Sequence, residues 1–382
     1  MKKRALEPID NRVTKLDVFR GRETLGDLRI TFSFHREGGR VTSLPPTAHS
    51  LFPVDRAADT LEQNAGALRD EVFGREVFVR GVIETSNYCR QNCSYCGMRL
   101  DNRALKRFRL ELESLRELVR HGLPDIITDL NIQTGEDVVG DREIVLPLIE
   151  TIRRERPHLG ISVCLGTLDY KLYDELRQAG ASYYIIKVET GNRDHYREVH
   201  APGTFDQRLA AIRYLAGTGW FVSSGFIMGL PGQTEAHIEE SLDLLSDLPL
   251  SGASVSPFIA GEQTPFAHHP LGPFEATIRA IARLRLRNPS YIIPAVSALN
   301  LVNQDGYVRA LRAGANLATI NLTPASNRTD YLLYKRDRVI MHEQRVRHAI
   351  TSADCTISTT SITETLRQRV AAEVRGEVRA VA

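Results

Sequence analysis

The chain has 382 residues, a formal net charge of +2 and 42% hydrophobic residues. That length suits one large barrel or two ordinary domains, and the near-neutral charge gives no electrostatic case for nucleic acid or an acidic membrane surface as partner. No apolar run approaches the roughly 18 residues that span a bilayer, and the Met-Lys-Lys-Arg start has no hydrophobic stretch behind it, so the expected location is cytoplasmic.

In chain order, residues 1–54 read as an N-terminal extension of β character. Leu16–Phe19 and Leu28–Phe34 suggest short strands, punctuated by Gly38-Gly39 and Pro45-Pro46. An amphipathic helix is expected over Asp55–Asp70. From Val77 onward, strand-like apolar runs recur at 77–85, 126–133, 160–165, 183–189, 221–228, 253–259, 291–297 and 315–321. Helix-period stretches such as Arg142–Arg154, Phe205–Ala216 and Glu235–Leu245 lie between most of them. Alternating βα units predict an α/β fold, a parallel (β/α)8 TIM barrel over residues 55–335. Residues 336–382 read as a mainly helical tail whose polar Arg/Glu-rich end is expected to fray.

Three of the five cysteines lie directly after the first barrel strand, in the spacing Cys89-x3-Cys93-x2-Cys96. Thiolates select zinc, copper(I) or iron–sulfur clusters. A structural zinc site wants a fourth Cys or His at finger-like spacing, and the next histidine downstream is His121. Three ligands around a four-iron cube, with one iron left open, fit better; an incomplete zinc ribbon and plain burial of small apolar side chains are the rival readings. A disulfide framework is not expected in a long chain with few cysteines and no secretory signal.

Further candidates fall at strand ends, where a βα barrel keeps its active site. Gln133-Thr134-Gly135-Glu136-Asp137 offers close backbone approach followed by a carboxylate, with a helix-initiating acid as the plain alternative. Glu189 ends the fourth strand and Arg208 follows it; together they could clamp a charged or hydroxyl-bearing ligand, or form an ordinary surface ion pair. The Gly-rich turn Ser224–Thr234 lacks the Lys-Ser/Thr of a phosphate loop, and its Met228 is equally explained as core. Arg107 and Arg109 follow the cysteine loop, either as carboxylate partners or as solvated helix-start residues. His268-His269 point apart and suit a surface loop; Cys164 falls within a strand and reads as core.

The cysteine spacing, with the aromatic Tyr95 before the last cysteine, resembles the signature of radical S-adenosylmethionine (SAM) enzymes. The flanking stretches Ile83–Cys89, Tyr95–Asn102 and Leu105–Arg109 look like those of the HydE-type [FeFe]-hydrogenase maturases, with methylornithine synthase and biotin synthase as more distant kin. The similarity runs from about Asp55 to about Tyr334. It implies a [4Fe-4S] cluster on Cys89, Cys93 and Cys96, S-adenosyl-L-methionine at the open iron, and reductive cleavage to methionine and a 5′-deoxyadenosyl radical. It implies a cofactor pocket of Tyr95, Gly135, Glu136, Glu189, Arg208 and Met228. It also sets Arg107, Tyr331 and Tyr334 beside the reacting groups with the three cysteines. A small-molecule substrate, a reductant such as ferredoxin or flavodoxin, and other hydrogenase maturases are the implied partners. Two features depart from the pattern. The first is the N-terminal extension. The second is a C-terminal region holding Cys355 alone, with Ile340 where another cysteine would stand, so no second cluster is expected. The rival functions are a biosynthetic radical SAM enzyme, such as an amino-acid mutase, and a non-enzymatic iron–sulfur electron carrier.

Overall fold

The computed structural model describes residues 19–25, 28–37, 40–43 and 56–375. The chain divides into two compact units, residues 1–59 and 60–382. In the first, β1 (Phe19–Leu25), β2 (Leu28–Glu37) and β3 (Arg40–Ser43) form an antiparallel sheet in that order. Leu25 pairs with Leu28 and Glu37 with Arg40 at the ends of the two ladders. The Leu16–Val18 start of the first predicted strand, the Pro45-Pro46 break and the polar end beyond Arg375 lie outside the described residues.

The second unit is a parallel barrel. Its strands are β4 (Glu76–Ser86), β5 (Asp129–Thr134), β6 (Gly160–Cys164), β7 (Tyr183–Ile185), β8 (Phe221–Met228), β9 (Gly252–Pro257) and β10 (Leu317–Asn321), hydrogen-bonded in the order β10-β4-β5-β6-β7-β8-β9. The seventh stave, expected as a strand over 291–297, is an extended segment with only two bridges, Gly252 to Ile292 and Pro294 to Leu317. Pro294 has no N–H to continue a ladder. The ring nevertheless closes through this segment: Ile292 N donates to Ser251 O at 3.0 Å and Ala295 N to Leu317 O at 2.8 Å. The fourth stave is also shorter than the expected 183–189. Regular pairing stops at Ile185 and resumes as a single bridge from Glu189 to Phe226.

The C-terminal segment does not stand apart from the barrel. Strand β11 (Thr356–Ile357) pairs with the start of β4. The helix Ile362–Val374 sets Ile362 and Leu366 against Phe78, Tyr183, Ile292 and Leu317, plugging the N-terminal mouth of the barrel. Asp129 accepts the Ile362 N–H with both carboxylate oxygens, at 3.2 and 3.0 Å. Among the described residues no helix is long and apolar enough to cross a membrane.

Candidate active site

With one end plugged, the functional groups gather at the strands' C-terminal end. β4 delivers the cysteine loop, and Asn87, fully buried at its start, fixes the entry. Its amide donates to Lys106 O and Asp330 O at 2.8 and 2.7 Å, and its Oδ1 accepts the Phe108 N–H at 2.7 Å. Arg107 completes the clamp. Its Nη1 donates to Asn87 O and Met98 O at 2.6 and 2.8 Å, and its Nη2 to Arg99 O at 2.7 Å. These three carbonyls belong to the loop, so the guanidinium expected to meet a ligand carboxylate instead shapes the cysteine loop.

All five cysteines are free thiols. Burial raises the Cys89 and Cys93 thiols and pushes Cys96 up to about 12; the other cysteines of the loop push Cys93 and Cys96 in the same direction. Arg107 is the nearby cation that pulls Cys89 and Cys96 the other way, without offsetting their burial; a bound metal centre would take all three as thiolates. The Gln91 and Glu136 amides point at Cys89 Sγ, at 3.5 and 3.4 Å. Among the described residues no three His, Cys, Asp or Glu side chains converge tightly enough to hold a single ion.

The second motif packs directly beneath this loop. A Cβ at Gly135 would collide with the Tyr88 carbonyl and the Cys89 side chain, which is why the loop requires glycine there. Glu136, 6% exposed, is a hub. Its Oε2 accepts from Gln91 Nε2 at 2.5 Å and Arg90 Nε at 3.1 Å; its Oε1 accepts from Thr167 N at 3.0 Å and Arg208 Nη2 at 3.5 Å. Arg208 is itself buried and also reaches Tyr196 Oη at 3.4 Å. Arg208 therefore pairs with Glu136 and not with Glu189, the partner the sequence suggests, and the pair is buried rather than on the surface. Asp137 takes Arg109 bidentately at 2.7 and 2.8 Å.

A cavity of about 350 Å³ occupies the barrel interior beside Cys96. Tyr95, Glu189, Tyr331 and Tyr334 line it, four of the residues the sequence picks out. Glu189 adopts φ 65°, a left-handed conformation that costs a non-glycine residue energy, and it does so while bridged to Phe226. Lys187 Nζ lies 2.9 Å from Glu189 Oε2 as an ion pair, without the angle of a hydrogen bond. Met228, expected near the cofactor, is instead buried in the core, and its neighbour Ile227 faces the cavity; adjacent strand residues point to opposite faces. Cys164, expected in the core, also lines the cavity, its thiol raised to about 11 by burial.

The sequence reading missed the strongest polar contact in the cavity wall. Arg338 donates bidentately to Glu84, Nη1 to Oε1 at 2.6 Å and Nη2 to Oε2 at 2.5 Å, with side chains only 7% and 2% exposed. Arg80, two turns of the pleat below Glu84, also lines the cavity. Its signal was present: Arg80, Val82 and Glu84 alternate along β4, the period of one strand face.

A Radical SAM superfamily model matches residues 83–245. The chain is 32% identical over 276 residues to the [FeFe] hydrogenase maturase subunit HydE of Thermotoga maritima, covering 72% of this chain and 79% of that protein. Together with a barrel that closes around a three-cysteine loop, this places the chain in the radical SAM superfamily, enzymes that work with a [4Fe-4S] cluster and SAM. Its relatives sit in the group of HydE and the methylornithine synthases. It is 28% identical over 283 residues to the 3-methylornithine synthase of Methanosarcina barkeri, covering 73% of this chain and 79% of the relative. The crystal structure of methylornithine synthase (PylB) matches with a TM-score of 0.71 at 26% identity, over 80% of this chain and 90% of that one.

Proposed function

We propose that this radical SAM enzyme matures the [FeFe]-hydrogenase cofactor as HydE does, acting on a small substrate in the barrel cavity. The observation that carries this reading is the 32% identity to HydE, sustained over 79% of that protein, against 28% to 3-methylornithine synthase over the same share. Cys89, Cys93 and Cys96 hold the cluster in this reading. When bound, the cluster and SAM together supply one-electron cleavage and a carbon radical. The chain's own residues have other tasks: Arg107 and Asn87 hold the loop, Gly135 lets it pack close, and Tyr95 and Glu189 face the cofactor side of the cavity. Tyr331 and Tyr334 wall the substrate side and exclude water. A one-electron reductant and other hydrogenase maturases are the partners.

The test has two stages. Anaerobically reconstituted protein with dithionite should form 5′-deoxyadenosine and methionine, and Cys93→Ser should abolish both; a full cluster signal with intact SAM would favour an electron carrier. The protein should then replace HydE in a cell-free hydrogenase maturation assay. Failure there, with conversion of lysine to methylornithine in its place, would move the assignment to the second group, whose solved structure shares this barrel.

A further inference from the structure

The cavity wall at Glu189 is built on a strained turn. Thr190 N donates to Val188 O at 2.8 Å across Glu189, whose φ is 65°. A three-residue turn with positive φ at its centre is the rare, strained kind, and such backbone persists only where its surroundings fix it. On one side the neighbouring strand does so: Glu189 N donates to Gly225 O, and Glu189 O accepts from Ile227 N, both at 3.0 Å. On the other side the fixing contact comes from His195, a buried ring that the proposed chemistry leaves without a task.

Asn192 caps the short helix Arg193–Glu198 by accepting from His195 N at 2.9 Å, which sets the ring in the helix's first turn. His195 is 1% exposed and lies between the turns that leave the paired strands β7 and β8. Its Nδ1 is 3.0 Å from Thr190 Oγ1, after β7, and its Nε2 is 2.9 Å from the Pro231 carbonyl, after β8. A carbonyl only accepts, so Nε2 carries the proton; Nδ1 is then the acceptor and the Thr190 hydroxyl the donor. One neutral tautomer satisfies both contacts. Burial favours that neutral form, and the His237 ring, stacked 4.9 Å away, adds to it, while the Pro231 carbonyl and Glu198 pull the other way. Gln233 closes the second turn from within, accepting from Gly229 N at 2.6 Å and donating to Ile227 O at 2.8 Å. Glu189 and Ile227 both line the cavity, and His195 joins the segments that carry them without lining it.

We propose that His195 is a positioning residue for SAM: its neutral ring ties the Glu189 turn to the Pro231 turn and so presets the cavity wall that receives the cofactor. The ring acts through Thr190 and Pro231, not by contact with SAM, and it keeps its single proton throughout. Preset walls spare the ligand the cost of ordering them. The proposal rests on the radical SAM reading and on Glu189 as a residue of the cofactor side.

The test uses the full chain with its cluster reconstituted anaerobically. Titration calorimetry gives the SAM affinity, SAM cleavage with dithionite gives kcat and KM, and iron content and melting temperature report the integrity of each variant. His195→Leu keeps the bulk and leaves the Thr190 hydroxyl and the Pro231 carbonyl unpaired. Kd and KM for SAM should rise about tenfold or more. Iron content should hold and kcat stay within about twofold, the pattern of a lost interaction shared by ground and transition states. His195→Gln, whose amide both donates and accepts, should recover most of the affinity. Thr190→Val, which removes one hydrogen bond at the same shape, should fall between the two. Unchanged SAM affinity in folded His195→Leu would overturn the proposal; so would equal losses in the Leu and Gln variants, which would assign the effect to packing. If His195→Leu does not fold, Thr190→Val decides, and an unaltered Kd there overturns the proposal. Wild-type chain that carries its cluster and binds no SAM would instead refute the radical SAM reading itself.

Discussion

Arg338→Met removes one partner of a buried pair and leaves Glu84, 2% exposed, without its cation. The two hydrogen bonds lost are short and charge-assisted, at 2.6 and 2.5 Å, and bonds of this type contribute about 1.5–3 kcal/mol each. Stranding a buried charge costs about 3–5 kcal/mol. Glu84 borders a cavity that can admit water, so the lower end applies and about 3 kcal/mol is expected. At roughly 2.1 cal/mol/K of unfolding entropy per residue, a barrel of this length should lose about 4–5 °C in Tm. Differential scanning calorimetry of Arg338→Met, Glu84→Gln and the double variant gives the answer. The double variant should recover about 2 kcal/mol of the summed losses, because its second change removes the stranded charge. A single substitution that moves Tm by less than about 1 °C, or a double variant whose losses simply add, would refute the argument that this pair is a coupled tie between β4 and residue 338.

Gly135→Ala should displace the cysteine loop, since its Cβ meets the Tyr88 carbonyl and Cys89; iron bound per chain after reconstitution should fall severalfold, and normal loading would contradict the packing argument. Asp141 is buried and raised to about 8, chiefly by burial. A carboxyl whose folded pKa lies above its unfolded value keeps its proton longer when folded, so stability should fall as pH rises from about 4 to about 8 and level off above that. Asp141→Asn should flatten that slope by an amount on the order of a few kcal/mol, read from Tm at pH 5 and pH 8; an unchanged slope would assign it to other groups. Thr204 caps the helix Phe205–Gly217, accepting from Gln207 N at 3.2 Å while Gln207 Oε1 accepts from Thr204 N at 3.1 Å. Thr204→Ala should cost about 1 kcal/mol and, because this helix carries Arg208, loosen the Glu136 hub; an unaltered denaturation midpoint would show the capping box to be idle.

What the sequence determined by itself was whatever depends on neighbours along the chain. Continuous apolar runs set strands β4, β8 and β10 close to their observed bounds, because a parallel strand is buried on both faces and so reads apolar in succession. Gly38-Gly39 marked the end of β2 for an equally local reason. The Cys89-x3-Cys93-x2-Cys96 spacing put three thiols on one short loop, where they cannot be far apart along the chain. The tertiary structure decided the rest. The seventh stave lost its ladder to Pro294, a defect whose extent shows only once its two neighbours are known. Arg107 became a clamp on loop carbonyls, and Glu136 a hub for Arg90, Gln91 and Arg208, because closing the barrel brings backbone and side chains together beneath the cysteines. Glu84 found Arg338 across 254 positions of sequence. No local pattern encodes that meeting: which buried acid faces which cation depends on where the segment after β10 crosses the barrel mouth, and only the packed chain decides that.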